Sequence, residues 1–551
     1  MVCTFVRKVV TRLFVLSCTL HFISYSSPKL VVVISLDQFK YEYLTRFREY
    51  YGTEGFQRLI ANGANFSNAV FKHAFNMTGP GHAVILTGTY GNVNGIVANS
   101  WYDQTAQQDV YCVADKSVSI IGASGEGRSP ANLIAPTFGD ELRLHTGFAG
   151  KVISISHKDR AAILLGGKMA NGAFWLVDSN FVSSTYYMDA LPAWVQQFNT
   201  SGKVTSFFGK TWQAVLPESA YALMDNDDVP YESNWSTTGR IFPHLIRGED
   251  PVHVTKSYYN AFLTSPFGNE VLAALARSAI EGERLGQDAY PDLLCINFAS
   301  FDYVGHAFGP HSREIIEMAV QTDRLLAEFL KYLDTRVGLK NAVIVLTSDH
   351  GVTPIPEYIR AHYPNADVGR ISRARIEEYC NSSLVNGFGK PRDGRSWVKR
   401  TIEGNIYLDH TLLSEMNLDL DRVAAALADS LMDLHEISLA IPRRMFLTGS
   451  TRSPLEEKLR RSFYPKRSGD VMFALKPFYY EDARSEGAEH GHPYEHDAHV
   501  PLIIMGEGIQ SGTYATECSP ADIGPTLSAL LGVEFPAARE GRVLVEALKR
   551  P

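Results

Sequence analysis

The chain has 551 residues, 45% of them apolar, which is enough to bury a large core and excludes a disordered polypeptide. A formal net charge of −8, with no strongly basic stretch, argues against a nucleic-acid binder, which needs a basic surface to meet the phosphate backbone. At the N-terminus Arg7, Lys8 and Arg12 precede an apolar run over 13–23 that is too short to span a bilayer and has the layout of a secretory signal. Residues 1–26 are therefore expected to be a removable signal peptide, leaving an exported, periplasmic or secreted protein with no membrane span. A lipoprotein reading of Cys18 is weaker, because apolar residues continue past it.

The segment 29–36, KLVVVISL, is continuously apolar and β-branched, the pattern of a central strand covered on both faces, and it ends in Asp37. The same design recurs over 151–156 before Lys158, over 293–298 before Asp302, and over 342–347 before Asp349. Between these runs, apolar residues at three and four spacing predict helices over 53–61, 269–285 and 312–337. Strands alternating with helices give an α/β fold, a mostly parallel central sheet sandwiched by helices. In such sheets ligands gather at the carboxyl ends of the strands, where all four polar clusters fall. Two stretches, roughly 170–265 and 355–480, interrupt the alternation and are read as cap insertions within one catalytic domain spanning 27–551. A strand over 500–505 and a helix over 520–531 close the fold. The four cysteines beyond the leader, Cys112, Cys295, Cys380 and Cys518, are too widely spaced for a disulfide framework or a Cys-x-x-Cys metal site. They leave room for one or two bridges, with Cys295 reading as a core residue inside its strand.

Asp37, Asp302 with His306, Asp349 with His350, and one histidine of EHGHPYEHDAHVPL (489–502) each lie at or just after a strand end. Together they make a ligand set for two metal ions, and mixed carboxylate and imidazole donors suit zinc. The spacing of Asp302 and His306 puts both on one side of a helical turn. Asp349 and His350 need a bend to converge, which Gly351 permits. His490, His492, His496 and His499 all remain candidates for the last ligand. In NMTGPGHAVILTG, Pro80 is placed as the first residue of a helix, so free amides at the helix start face Thr78 and attract an anion. Taken alone, Thr78 reads as an ordinary helix cap; a metal ion on its oxygen would make it a nucleophile. In SHKDR, read as extended, Lys158 and Arg160 project to one side and Asp159 to the other, which suits a doubly charged phosphoryl group.

The motifs SLDQF, NMTGPGHAVILTGTYGNVNGI, ANSWYD, SHKDRAAILLGG, SFDYVGHAFGP, TSDHGV and HGHPYEHDAHVPL occur in this order. They resemble the alkaline phosphatase superfamily, and more narrowly the PafA-type (phosphate-irrepressible) alkaline phosphatases with a threonine nucleophile, relatives of the type I phosphodiesterases and nucleotide pyrophosphatases. The resemblance implies two zinc ions, one on Asp302, His306 and His490, the other on Asp37, Asp349 and His350 with Thr78 bound to it. It also implies that Asn99, Lys158 and Arg160 grip the phosphoryl oxygens. His490 matches the family's His-Gly, although this chain carries His492 where relatives usually have serine. The function so implied is hydrolysis of small-molecule phosphate monoesters through a phosphothreonine. Its rivals are a phosphodiesterase or nucleotide pyrophosphatase on the same two-metal site and a non-catalytic exported zinc- and phosphate-binding protein. The Cys/Ser-x-Pro-x-Arg signature of sulfatases is absent around Thr78.

Overall fold

The computed structural model describes residues 28–449 and 451–549; the predicted signal peptide lies outside them. Its spine is a ten-stranded sheet. Leu30–Leu36 pairs in parallel with Asp292–Phe298 on one side and with Ala342–Thr347 on the other. Val152–Ser156 continues the parallel run beside Asp292–Phe298, followed by Gly172–Val177. The edges turn antiparallel: Leu502–Gly506 against Ala342–Thr347, and Asn180–Ser184 against Gly172–Val177. All seven residues of Leu30–Leu36 are buried, because helices cover both faces. Leu30, Val32, Ile34 and Leu36 pack into one core, and Val31 and Val33 into another, as period-two alternation requires.

The registers place Leu36 opposite Phe298, Ser35 opposite Thr347, and Asn297 opposite Ser156. The carboxyl ends of the four predicted strands thus lie side by side along one edge. The long helices run Pro266–Glu283 and Arg313–Arg336, the second capped by Ser312 accepting from Ile315 N–H. The helix predicted over 53–61 begins later, at Phe56–Asn62. The Asp323 carboxylate delays it by accepting the N–H groups of Gly52 (2.8 Å) and Phe56 (2.7 Å), so 52–55 become a turn. Gly55 has no alternative there, since a Cβ would sit 2.2 Å from Asp323 Oδ1.

The stretch 355–480 builds a four-stranded antiparallel sheet from Val398–Ile402, Asn405–Leu408, Val471–Leu475 and Ile437–Pro442. With Arg373–Phe388 and Leu420–Leu431 it closes a core of its own around Trp397, Leu427 and Phe473. The stretch 170–265 extends the central sheet and then packs Trp194, Trp212 and Tyr258 into the principal core. Cys112, Cys295, Cys380 and Cys518 are all buried and free, so no bridge joins them. Among the described residues no helix is long and apolar enough to cross a membrane.

Candidate active site

Thr78 opens the helix Thr78–Thr87, two positions before the predicted start at Pro80, and the extended residue preceding it is Met77. Pro80 therefore occupies the third helical position, where its missing N–H is still one of the helix's unpaired donors. Thr78 is not the cap: its hydroxyl satisfies no helix amide and faces Lys158 Nζ at 3.5 Å and Arg160 Nη2 at 3.3 Å. The glycines beside it are demanded by contact. A Cβ on Gly81 would lie 2.1 Å from the Asp349 carbonyl oxygen, and one on Gly79 3.0 Å from Asn99 Oδ1. The helix start is thereby pressed against a strand end and against Asn99.

Lys158 keeps its predicted extended setting, whereas Arg160 does not. Lys158 is the last extended residue, and Asp159–Gly166 is helical, with Asp159 in the first turn, where a negative side chain is favoured. The two cations still converge, because Arg160 reaches back along the helix while Lys158 turns inward. Lys158 Nζ lies 3.0 Å from Asp37 Oδ1 and 2.6 Å from Asp302 Oδ2. Burial works against its charge, but Asp302 and Asp37 outweigh burial and hold its pKa above the ordinary lysine value. Asp159 faces away, accepting from Tyr111 Oη (2.5 Å) and Arg128 Nε (2.9 Å). Tyr111 Oη in turn accepts from Arg160 Nη1 at 3.3 Å, steadying that guanidinium.

The predicted ligands assemble into two halves. In the outer half, Asp302 and His306 stand one turn apart on Ser300–Phe308, with His306 Nε2 at 3.3 Å and His490 Nε2 at 3.7 Å from Asp302 Oδ1. In the inner half, His350 Nε2 lies 3.6 Å from Asp37 Oδ1 and 3.3 Å from Asp349 Oδ2. The His350 and His490 rings stack at 3.7 Å between centroids, tying the halves together. Ligand atoms of Asp302, His306 and His490 all lie within 4.8 Å of one another, as do those of Asp37, Asp302 and His350. Of the other loop histidines, His492 pairs with Asp497 (3.0 Å), His499 meets the Ser67 carbonyl (3.0 Å) and His496 stacks on Phe478. The bend falls at Asp349 and not at Gly351, which is needed for a different reason from the one predicted. Gly351 keeps an ordinary φ and is needed because a Cβ would lie 2.4 Å from the His496 carbonyl oxygen.

Two properties of these side chains suit a metal ion. First, each histidine Nδ1 meets a carbonyl: His306 that of Ala488 (2.7 Å), His350 that of Gly351 (2.8 Å) and His490 that of Asn76 (2.9 Å). A carbonyl only accepts, so Nδ1 carries the proton and each Nε2 lone pair points into the site, the tautomer a metal ligand needs. Second, Asp37 Oδ2, Asp349 Oδ2 and His350 Nε2 are buried with no hydrogen-bond partner among the described residues. Burial and the neighbouring Asp349 push Asp37 up to about 6, the strain of buried like charges that a cation relieves.

His82 enters unforeseen. One turn beyond Thr78 and fully buried, its Nδ1 lies 2.8 Å from the Thr78 carbonyl and 3.2 Å from Asp349 Oδ2. Its only sequence signal was the i, i+4 spacing from Thr78. Asn99 accepts the Gly79 N–H on Oδ1 at 2.8 Å. Above the site lies a cavity of about 390 Å³, lined by Met77, Asn99, Arg160, His306 and His490 and by Glu403, Phe473, Glu481 and Arg484 of the second insertion and its border.

The comparisons with known proteins agree with this architecture. A family model described as type I phosphodiesterase / nucleotide pyrophosphatase matches residues 31–499. Alkaline phosphatase PhoV of Synechococcus elongatus is 35% identical over 527 residues, covering 95% of this chain and 93% of its own length. Alkaline phosphatase PafA of Elizabethkingia meningoseptica is 32% identical over 529 residues, 95% of each chain. The crystal structure of wild-type alkaline phosphatase PafA superposes with a TM-score of 0.87 at 31% identity, covering 95% of this chain and 99% of that one. The chain therefore belongs to the type I phosphodiesterase and nucleotide pyrophosphatase family and, within it, stands with the alkaline phosphatases.

Proposed function

We propose that this chain is an alkaline phosphatase that transfers the phosphoryl group of small phosphate monoesters to Thr78 and then to water. The observation that carries the proposal is the free Thr78 hydroxyl at a helix start, with Lys158 and Arg160 both within 3.5 Å of its oxygen. A phosphoryl dianion seated there meets two fixed cations and the amides of the helix terminus. Asn99, which lines the cavity, adds a neutral donor, because its Oδ1 is committed to Gly79 and its Nδ2 has no hydrogen-bond partner among the described residues.

Asp302, His306 and His490 would hold one zinc ion, and Asp37, Asp349 and His350 with the Thr78 oxygen a second. When bound, the pair supplies positive charge that favours the threonine alkoxide and stabilises the departing oxygen. Thr78 Oγ1, having released its proton to water, forms a bond to phosphorus as the ester P–O bond breaks, giving phosphothreonine and an alcohol whose oxygen takes a proton from water in turn. Water then attacks the phosphothreonine, the P–Oγ1 bond breaks, and inorganic phosphate leaves. Lys158 and Arg160 neutralise the equatorial oxygens, where charge is spread in the transition state. The second insertion, which lines the cavity mouth, acts as a cap over the leaving group, and residues 1–26 direct the enzyme out of the cell.

The family model favours a diesterase as the second reading, since its description names phosphodiesterases. The paired cations favour a monoester, which brings two negative charges where a diester brings one. Hydrolysis of p-nitrophenyl phosphate and of bis(p-nitrophenyl) phosphate by the zinc-loaded protein separates them, with the monoester expected to react faster. A preference for the bis ester establishes the diesterase, and no turnover of either, with phosphate still bound, establishes a binding protein. Thr78→Ala is expected to lower turnover by about 10³-fold or more, on the scale of losing an enzyme nucleophile, with zinc content unchanged.

A further inference from the structure

Between Val398–Ile402 and Asn405–Leu408, the inserted sheet turns on just two residues, Glu403 and Gly404, both at positive φ (46° and 75°). That is the hairpin geometry whose twist matches the flanking strands. Glycine fits it freely, whereas glutamate is an uncommon occupant, and a side chain retained at such a backbone invites a functional explanation. The turn is wedged into the active-site cavity beside Asn99 and Arg160. A Cβ on Gly404 would lie 2.4 Å from the Phe75 ring, so only glycine lets the tip pack this closely against the cavity wall.

An acidic side chain lining a phosphoryl pocket repels the substrate unless its charge is committed elsewhere. Glu403 Oε2 accepts the Asn99 backbone N–H at 2.8 Å. The Asn99 carbonyl accepts from Cys112 N–H at 2.9 Å, and its Oδ1 from Gly79 N–H at 2.8 Å. Asn99, which lines the cavity, is thus tied at three of its polar groups, and Nδ2, the fourth, has no hydrogen-bond partner among the described residues.

We propose that Glu403 is a positioning residue: reaching in from the inserted sheet, it fixes Asn99 so that Nδ2 can donate to a phosphoryl oxygen. The insertion is then part of the phosphate site as well as its cover. This rests on the monoesterase reading above, and its test uses inorganic phosphate as the probe, so that it can fail separately.

Phosphate affinity is measured calorimetrically on the zinc-loaded full chain, alongside turnover of p-nitrophenyl phosphate. Glu403→Ala is expected to weaken phosphate binding and kcat/KM about 10-fold, the range of a residue that orients a binding group, with zinc content unchanged. Glu403→Gln keeps an oxygen that can accept the same N–H and is expected to restore most of both. In an Asn99→Ala background, Glu403→Ala should add no further loss. Should the alanine variant fold poorly, Glu403→Asp, which keeps the charge but withdraws the acceptor by one methylene, is expected to show the same loss of phosphate affinity. The proposal is overturned if phosphate binds the Ala and Asp variants as it binds the wild type, if Gln is as damaging as Ala, or if the Glu403 loss persists undiminished without the Asn99 side chain. An inactive wild type that still binds phosphate would instead refute the monoesterase reading, and the affinity comparison would decide the role of Glu403 on its own.

Discussion

The inner and outer halves of the site use the same residue types at different depths. The side chains of Asp37, Asp349 and His350 are 0% exposed, whereas His306 is 26% and His490 9% exposed, with Asp302 at 4% between them. The inner half also holds polar atoms unpartnered among the described residues, Asp37 Oδ2, Asp349 Oδ2 and His350 Nε2. In the outer half, Asp302 is already met by Lys158 and by Gln38 Nε2 at 2.8 Å, and His306 has Glu489 at 3.8 Å. The contrast arises from what carries each set: strand ends place the inner residues, whereas a helix facing the cavity and a surface-derived loop place the outer ones. Lys158 meets Asp37 as well as Asp302, so the contrast lies in depth and in the unpartnered atoms: the more deeply buried donor set should grip a cation more tightly than the one open to water.

The largest test of that contrast is Asp349→Asn. It removes a buried charge whose unpartnered oxygen faces the His350 ring, and it is expected to cut p-nitrophenyl phosphate turnover about 10³-fold, the upper scale for losing one fixed electrostatic group. Zinc analysis should show about one equivalent missing; a variant that retains full metal and activity would break the distinction between the halves. His306→Ala is the smaller change, expected to reduce turnover about 10²-fold, within the range for one metal-orienting group. Because His306 borders the cavity, part of that loss should return with excess zinc, whereas the loss in Asp349→Asn should not. Timed exposure of the wild-type protein to a chelator sharpens the same point, since the outer ion is expected to leave first, seen as a fast phase of about half the zinc. A single release phase would mean that depth does not set affinity.

Much of the inner half was legible because it follows continuous apolar runs: Asp37 after residues 29–36 and Asp349 after 342–347 stand where two-sided burial ends and polarity begins. The Asp302 and His306 spacing was equally direct, since one helical turn decides it. The last ligand was not legible from spacing, because four histidines crowd one loop; the resemblance implied His490, and in the fold it is His490 that approaches Asp302. Lys158 and Arg160 were recognised as partners but Arg160 was assigned the wrong backbone, since a three-residue window has no periodicity to reveal that a helix begins at Asp159. His82 carried only its i, i+4 spacing from Thr78, and Glu403 no readable signal. Each acts through a contact made by folding, His82 with Asp349 and Glu403 with Asn99 across 304 residues.

The smallest expected effect concerns this last contact and the outer wall to which it belongs. Burial, opposed by the N–H groups of Asn99 and Ser100 and by Arg160, with Glu481 adding repulsion, pushes the Glu403 carboxyl up to about 7 from the ordinary glutamate value of 4.5. Arg373, itself paired with Glu481 at 2.8 Å, adds positive charge to the same wall. The folded chain therefore binds the Glu403 proton more tightly than the unfolded chain does. Stability from this group is fully present below about pH 4.5 and is lost as pH rises through about 7. Glu403→Gln removes the titration while keeping the shape. Its thermal midpoint, measured against wild type at equal zinc loading, is expected to gain on the wild type by a degree or two between pH 5 and pH 8, since at about 2 cal/mol/K of unfolding entropy per residue 1 kcal/mol moves a chain of this length by about 1 °C. A difference that stays flat across that range would mean that the Glu403 carboxylate is solvated like a surface group. The outer wall would then be as open to water as the His306 side of the cavity, and the depth contrast would be confined to the inner half.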